Sequence, residues 1–257
     1  MFGAMMSYQR AGVALTFSPR FAAVLAEAWH FSAHCGASLD IVHAAAYDAE
    51  KEKRFCEALG RKVEVRWVEG KTPAQALLAA AKKFQFDLLI AGALQNEAAD
   101  TLFTSGVARD LLRGMTCDLM LVPKPVVDPA PLNRLIFTMD PGENSGAFLH
   151  EVIRVLRPQH ITIAVNETPF AAAIAASRRE LPLDVNAWLE ELTASFAGTG
   201  LEVETWVVTS NTGYNLCEAI QGIEADLLIV KAEADGTLPL HLNWLYQVIP
   251  CRLLVVR

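Results

Sequence analysis

WVEGKTPAQALLAAAKKFQFDLLIAGA, residues 67–93, and WVVTSNTGYNLCEAIQGIEADLLIVKA, residues 206–232, decide how this chain is read. They superpose without a gap at a shift of 139 residues, Trp67 over Trp206 and Asp87 over Asp226. The repetition extends outward: VALTFSPRFAAVL (13–25) resembles IFTMDPGENSGAFL with Thr16 over Asp140, and TCDLMLVPK around Cys117 resembles PCRLLVVR around Cys251. The shifts differ between these blocks while their order is kept, so spacers have changed length and two copies of one unit are the simplest account.

Each copy alternates short apolar runs with helical patterns. Val13–Leu15 and Leu135–Phe137 have the length of buried strands, followed by helices from Pro19 and Glu143. Second strands fall at Leu39–His43 and His160–Val165, charged helices at 50–59 and about 184–197, and third strands at Val63–Val68 and Val203–Val208. Thr72 is an N-cap with Pro73 at the first helical position, and Ala74, Leu77, Leu78 and Ala81 form a core stripe, matched by Gly213, Leu216, Cys217 and Ile220. DLLIAGA and DLLIVKA are fourth strands, apolar throughout as strands covered on both faces must be. A last helix and DLMLV or RLLVV close each unit. The expected fold is α/β, two tandem open sandwich domains, each with its own parallel sheet, at residues 1–124 and 133–257. The linker 125–132 lies in a stretch where Pro123, Pro125, Pro129 and Pro131 impose a stiff, extended path.

Composition narrows the function. The 257 residues are 53% hydrophobic and 20% charged, with 22 Lys and Arg against 29 Asp and Glu, which excludes disordered and collagenous classes. A net charge of -7 provides no basic footprint for nucleic acid. No apolar run approaches the roughly 20 residues of a membrane span, and MFGAMMSYQR lacks the core of a signal peptide, so the expectation is a cytoplasmic protein with neither nucleic-acid nor membrane partner. Five scattered cysteines, Cys35, Cys56, Cys117, Cys217 and Cys251, contain no C-x-x-C and read as reduced thiols.

The order of TFSPRFAAVLAEA, TMDPGENSGAFLHE, DLLIAGA, DLLIVKA, SGVARDLLRGMTCDLMLV and HLNWLYQVIPCRLLVV resembles the universal stress proteins in their tandem two-domain form, over about residues 11–257. The resemblance implies the adenine nucleotide alpha hydrolase-like fold. It also implies an ATP site at the carboxyl ends of the strands, in which an Asp after the first strand touches the nucleoside and a G-x-x-G, nine residues, Gly-Ser loop wraps the phosphates. Glycines let backbone amides approach the anion, and a helix N-terminus adds partial positive charge.

Set on that pattern, the candidate pocket positions are Thr16, Gly92, Ser105, Gly106 and Asp140. In the first copy Gly92 holds the first glycine, Gln95 replaces the second, the Gly-Ser pair is inverted as Ser105 and Gly106, and Thr16 lacks a carboxylate. In the second, Asp140 keeps the carboxylate, with capping of the following helix an equal alternative, but Lys231 and Ala234 replace the glycines and the loop before Cys251 is shorter. The first 128 residues carry 14 basic and 14 acidic groups, so the whole negative excess lies in the second copy, where it disfavours a polyphosphate. Neither half is expected to bind ATP in the family manner. No cofactor is predicted; ATP is the one the resemblance would allow.

Other residues have blander readings. His30 and His34, four apart beside Cys35, suit a metal by spacing, but no acidic partner accompanies them and solvated or core histidines are favoured. Lys231 reads as a surface lysine with an anion contact as the alternative, Trp67 and Trp206 as core plates at one shared strand position, and Cys117 and Cys251 as small buried hydrophobes. No catalytic residue set or phosphate-loop fingerprint is present. The leading expectation is therefore a non-enzymatic stress-response protein. Its halves pair through their terminal strands as an intramolecular pseudo-dimer, with a homodimer of tandem chains also open, and it acts through other proteins or an unidentified small ligand. The alternatives are an adenine-nucleotide-binding regulator using the first-copy loop, and an enzyme of a related adenine-nucleotide α/β group.

Overall fold

The computed structural model describes residues 7–60, 62–93, 104–139, 143–167, 184–210 and 212–257. In the first half, β1 (Arg10–Ala14), α1 (Phe21–Cys35), β2 (Ser38–Ala44), α2 (Ala49–Leu59), β3 (Val65–Val68), α3 (Pro73–Phe84), β4 (Leu88–Gly92), α4 (Gly106–Gly114) and β5 (Asp118–Val122) alternate strictly. In the second half come β6 (Arg134–Thr138), α5 (Glu143–Leu156), β7 (His160–Glu167), α6 (Val185–Ala194), β8 (Glu202–Thr209), α7 (Tyr214–Gln221) and β9 (Leu227–Lys231), then a 3₁₀ helix (Leu240–Tyr246) and β10 (Leu253–Val256). The last helix of the second half is thus 3₁₀, where the repeat predicts an α-helix.

The sheet order is β3-β2-β1-β4-β5-β10-β9-β6-β7-β8, a single ten-stranded sheet in which each half repeats the same five-strand order. The five parallel strands of each half meet edge to edge within this one sheet. β5 and β10 pair antiparallel, with Leu121 opposite Leu253 and Leu119 opposite Val255, while every other strand pair is parallel. The reason is that LMLV and LLVV are fully buried edge strands, whose free amides and carbonyls would otherwise be exposed together with a row of apolar side chains. Each covers the other.

Helices α1, α2, α5 and α6 cover one face and α3, α4, α7 and the 3₁₀ helix cover the other, giving one core on each side of the sheet. The local signals are as the sequence predicts. Thr72 Oγ1 accepts from the Gln75 amide at 3.2 Å with Pro73 behind it, and Ala74, Leu77 and Ala81 are buried. The paired aspartates of the repeat do the same work twice. Asp87 Oδ2 accepts from the amides of Gln9 and Arg10, and Asp226 Oδ2 from those of Asn133 and Arg134, so each anchors the entry of the neighbouring first strand.

Register overturns one expectation. His43 pairs with Trp67, whereas Ala164, which is the equivalent of Val42, pairs with Trp206. The two tryptophans are therefore one residue out of phase in the sheet and face opposite cores, because a slip of one residue turns every side chain over. Neither is fully buried.

The halves are joined by more than strands. Arg252, leading into β10, makes a bidentate pair with Glu27 of α1 (Nε to Oε2 2.8 Å, Nη2 to Oε1 3.0 Å), and Glu27, 1% exposed, also accepts from the amide of Val126 in the connecting segment.

Candidate functional site

In the first half β1 and β4 lie side by side, but the chain leaving β1 passes to the α1 face and the chain leaving β4 passes to the α4 face. Loops that diverge in this way leave a crevice at the carboxyl ends of the strands. A cavity of about 290 Å³ occupies that crevice. Its walls are Leu15 at the end of β1, Phe21 and Val24 of α1, Pro73 and Leu77 at the start of α3, and Val107 of α4.

Thr16, Gly92 and Ser105 all line this cavity. Thr16 is exposed at the rim. Ser105 is the N-cap of α4, its Oγ accepting from the Ala108 amide at 3.1 Å, and Gly106 begins the helix beside it. Among the described residues a Cβ at Gly92 would meet only Val24, at an ordinary 3.7 Å. The bareness of Gly92 leaves space on the cavity side. Gln95 and Asp140 lie outside the described residues.

The residue that the sequence pattern missed is His43, near the end of β2. It is 8% exposed and lines the cavity, and its Nδ1 donates to the Leu15 carbonyl at 2.7 Å. A carbonyl only accepts, so Nδ1 carries the proton and Nε2 of the neutral ring is an acceptor. The ring sits edge-on to Phe17, Phe55 and Trp67, at centroid distances of 5.5, 5.5 and 4.9 Å. A polar residue directly after the apolar pair Ile41 and Val42, near the carboxyl end of a parallel strand, was the signal available.

The second half is built differently at the equivalent place. Val165 and Asn166 stand where His43 and Ala44 stand, and Lys231 where Gly92 stands. Lys231 is exposed and its Nζ lies 5.5 Å from the Phe148 ring centroid, a cation–π contact. Ala234 belongs to a tight turn closed by the bond from the Glu233 amide to the Thr237 carbonyl at 2.8 Å. The shortened loop then becomes the 3₁₀ helix, burying Leu242, Trp244 and Leu245. A Cβ at Gly213, the N-cap of α7, would fall on the His241 carbonyl oxygen, so this segment covers the helix start that in the first half opens onto the cavity. Its end grips the first half: the Gln247 and Leu245 carbonyls accept from the Thr104 amide and hydroxyl at 2.8 and 3.2 Å.

His30 and His34 do not converge on a metal site. His34 Nε2 donates to the Leu156 carbonyl at the end of α5 at 2.7 Å, and burial, then the Arg252 charge, pushes His30 below its ordinary range. Among the described residues no group of three metal-ligating side chains occurs. Burial pushes the thiols of Cys35, Cys117 and Cys251 up to about 12, so none is a thiolate nucleophile near neutral pH. Asp118 accepts from the Tyr8 hydroxyl at 2.7 Å and from the Arg257 amide at 2.9 Å, at the amino ends of the strands and thus away from the cavity; burial pushes it up to about 6. Among the described residues no helix is long and apolar enough to cross a membrane.

The Universal stress protein family model matches residues 44–123, a span running from the end of β2 to just past β5. Over those residues the chain is similar to the universal stress protein family. The fold likeness extends over both halves. A universal stress protein from Archaeoglobus fulgidus is 11% identical with a TM-score of 0.67, covering 98% of this chain and 97% of that one. Two Pseudomonas aeruginosa structures, one of a candidate universal stress protein and one of a functionally unknown protein, are 13% and 12% identical with TM-scores of 0.68 and 0.69, again over 98% of this chain and 94% and 93% of theirs. No curated protein is similar enough in sequence to count as a match.

Proposed function

We propose that this chain is a universal stress protein, a non-enzymatic, cytoplasmic stress-response protein built of two repeated halves, residues 1–124 and 133–257, with a ligand cavity in the first half. It responds to a small ligand other than a triphosphate held in the family's manner, and passes that state to protein partners. The single observation that carries the reading is the composition of the cavity. Among its described lining residues there is no Lys or Arg, and Thr16 stands where the family has a carboxylate. A polyphosphate needs cations or a nest of bare amides, and the described lining offers no cation and only Gly92 as a glycine. The covered start of α7 argues against a second site in the other half.

The retention of Gly92, Ser105 and Gly106 around the cavity favours a second reading, an adenine nucleotide held in a reshaped loop. Thermal-shift titration of the full chain with ATP and magnesium separates the two. The expected result is no shift up to millimolar ATP. Nucleotide at 100 times its dissociation constant would stabilise the protein by about 2.7 kcal/mol, and a rise of that order would establish the second reading in place of the first.

A further inference from the structure

We propose that the first-half cavity binds a neutral compound of one or two fused rings bearing an N–H or O–H donor, with His43 Nε2 as the acceptor that reads the donor. This rests on the reading of the same site as one that does not hold a triphosphate.

Size, charge and hydrogen bonding converge on that class. About 290 Å³ lies at the low end of the ~300–1,000 Å³ typical of ligand sites, suited to a ring system rather than to a full nucleotide. The described lining contains no Asp, Glu, Lys or Arg, so an ionised ligand would lose hydration without gaining a partner. Of the four polar side chains on the wall, Ser105 Oγ accepts from the Ala108 amide, Ser18 Oγ from the Arg20 amide, and Thr16 is exposed at the rim. His43 alone is buried, and among the described residues its Nε2 has no hydrogen-bond partner. Its Nδ1 is held by the Leu15 carbonyl, and the flanking rings of Phe17, Phe55 and Trp67 leave the imidazole little freedom to turn. The strand itself does not require an imidazole, because the equivalent position in the second half is the fully buried Val165. A fixed acceptor on an apolar wall rewards a flat, uncharged molecule that brings one donor and buries the rest of its surface.

The test uses the full chain and calorimetric and thermal-shift titrations with indole, 1-methylindole and ATP with magnesium. Indole should bind saturably and raise the melting temperature. 1-Methylindole, which lacks the donor, should bind about tenfold more weakly, the worth of one buried hydrogen bond. His43→Leu should erase the difference between the two, and Leu77→Trp, which fills the cavity from α3, should remove indole binding. Absence of saturable indole binding, equal affinity for 1-methylindole in the unaltered protein, or indole binding that persists in Leu77→Trp each overturns the proposal. If ATP with magnesium binds at this cavity, the underlying reading falls with it; if ATP is silent and indole also fails, only the ligand class is wrong.

Discussion

Replacing Arg252 by Met tests what locks the two halves together. Arg252 donates from Nε and Nη2 to the two oxygens of Glu27, and from Nη1 to the Asp226 carbonyl at 3.3 Å; its side chain is 14% exposed and that of Glu27 1%. The methionine keeps much of the stem's packing but strands a buried carboxylate with only the Val126 amide, at 3.2 Å, as donor. Removing one partner of a buried pair costs about 3–5 kcal/mol. The second substitution discriminates. Glu27→Leu combined with Arg252→Met removes both charges, and an apolar pair of similar volume is near neutral, so the double variant should recover most of the loss. Urea unfolding at pH 7, followed by fluorescence, measures both variants, with the slope checked for constancy. A loss below about 1 kcal/mol for Arg252→Met, or a double variant no more stable than the single one, would refute the claim that this pair is a desolvated lock.

Gly213 has φ of 77° and faces the His241 carbonyl, whereas Gly36, with φ of 74° at the end of α1, has open space around it. Gly36→Ala should cost about 1 kcal/mol from the left-handed backbone alone, and Gly213→Ala clearly more, because the 3₁₀ helix must move; equal costs by urea unfolding would show that the covering segment is not packed there. Asp118 gives a pH dependence. Burial raises its folded value to about 6 from an ordinary 3.8, so the unfolded chain binds fewer protons between those values. Its contribution is therefore favourable at low pH and lost as pH rises from about 4 to about 6, by roughly 3 kcal/mol in all. Asp118→Asn should remove that downward slope from the melting temperature against pH, and an unchanged slope would show that Asp118 is not the group responsible.

Much of the fold was legible because the signals are local or repeated. Thr72 before Pro73 is an N-cap signal read within a few residues, and Asp87 and Asp226 recur because each anchors the neighbouring strand in its own half. The site was half legible. Thr16, Gly92 and Ser105 do line one cavity, but a motif for phosphate directs attention to glycines and passes over His43, whose role depends on the Leu15 carbonyl 28 residues away. Trp67 and Trp206 mislead for a related reason: sequence alignment fixes identity, whereas strand register fixes the face, and the two differ here by one residue.

By itself, then, the amino-acid sequence determined the alternation of strands and helices and the repetition of that order, because both are written in hydrophobic period. Only the tertiary structure decided that β5 and β10 pair antiparallel in one sheet, that Glu27 and Arg252 meet across 225 positions, and that the shortened loop lies over the start of α7. These depend on contacts between segments far apart in the chain, where burial and the need to pair exposed backbone groups select a partner that no local pattern names.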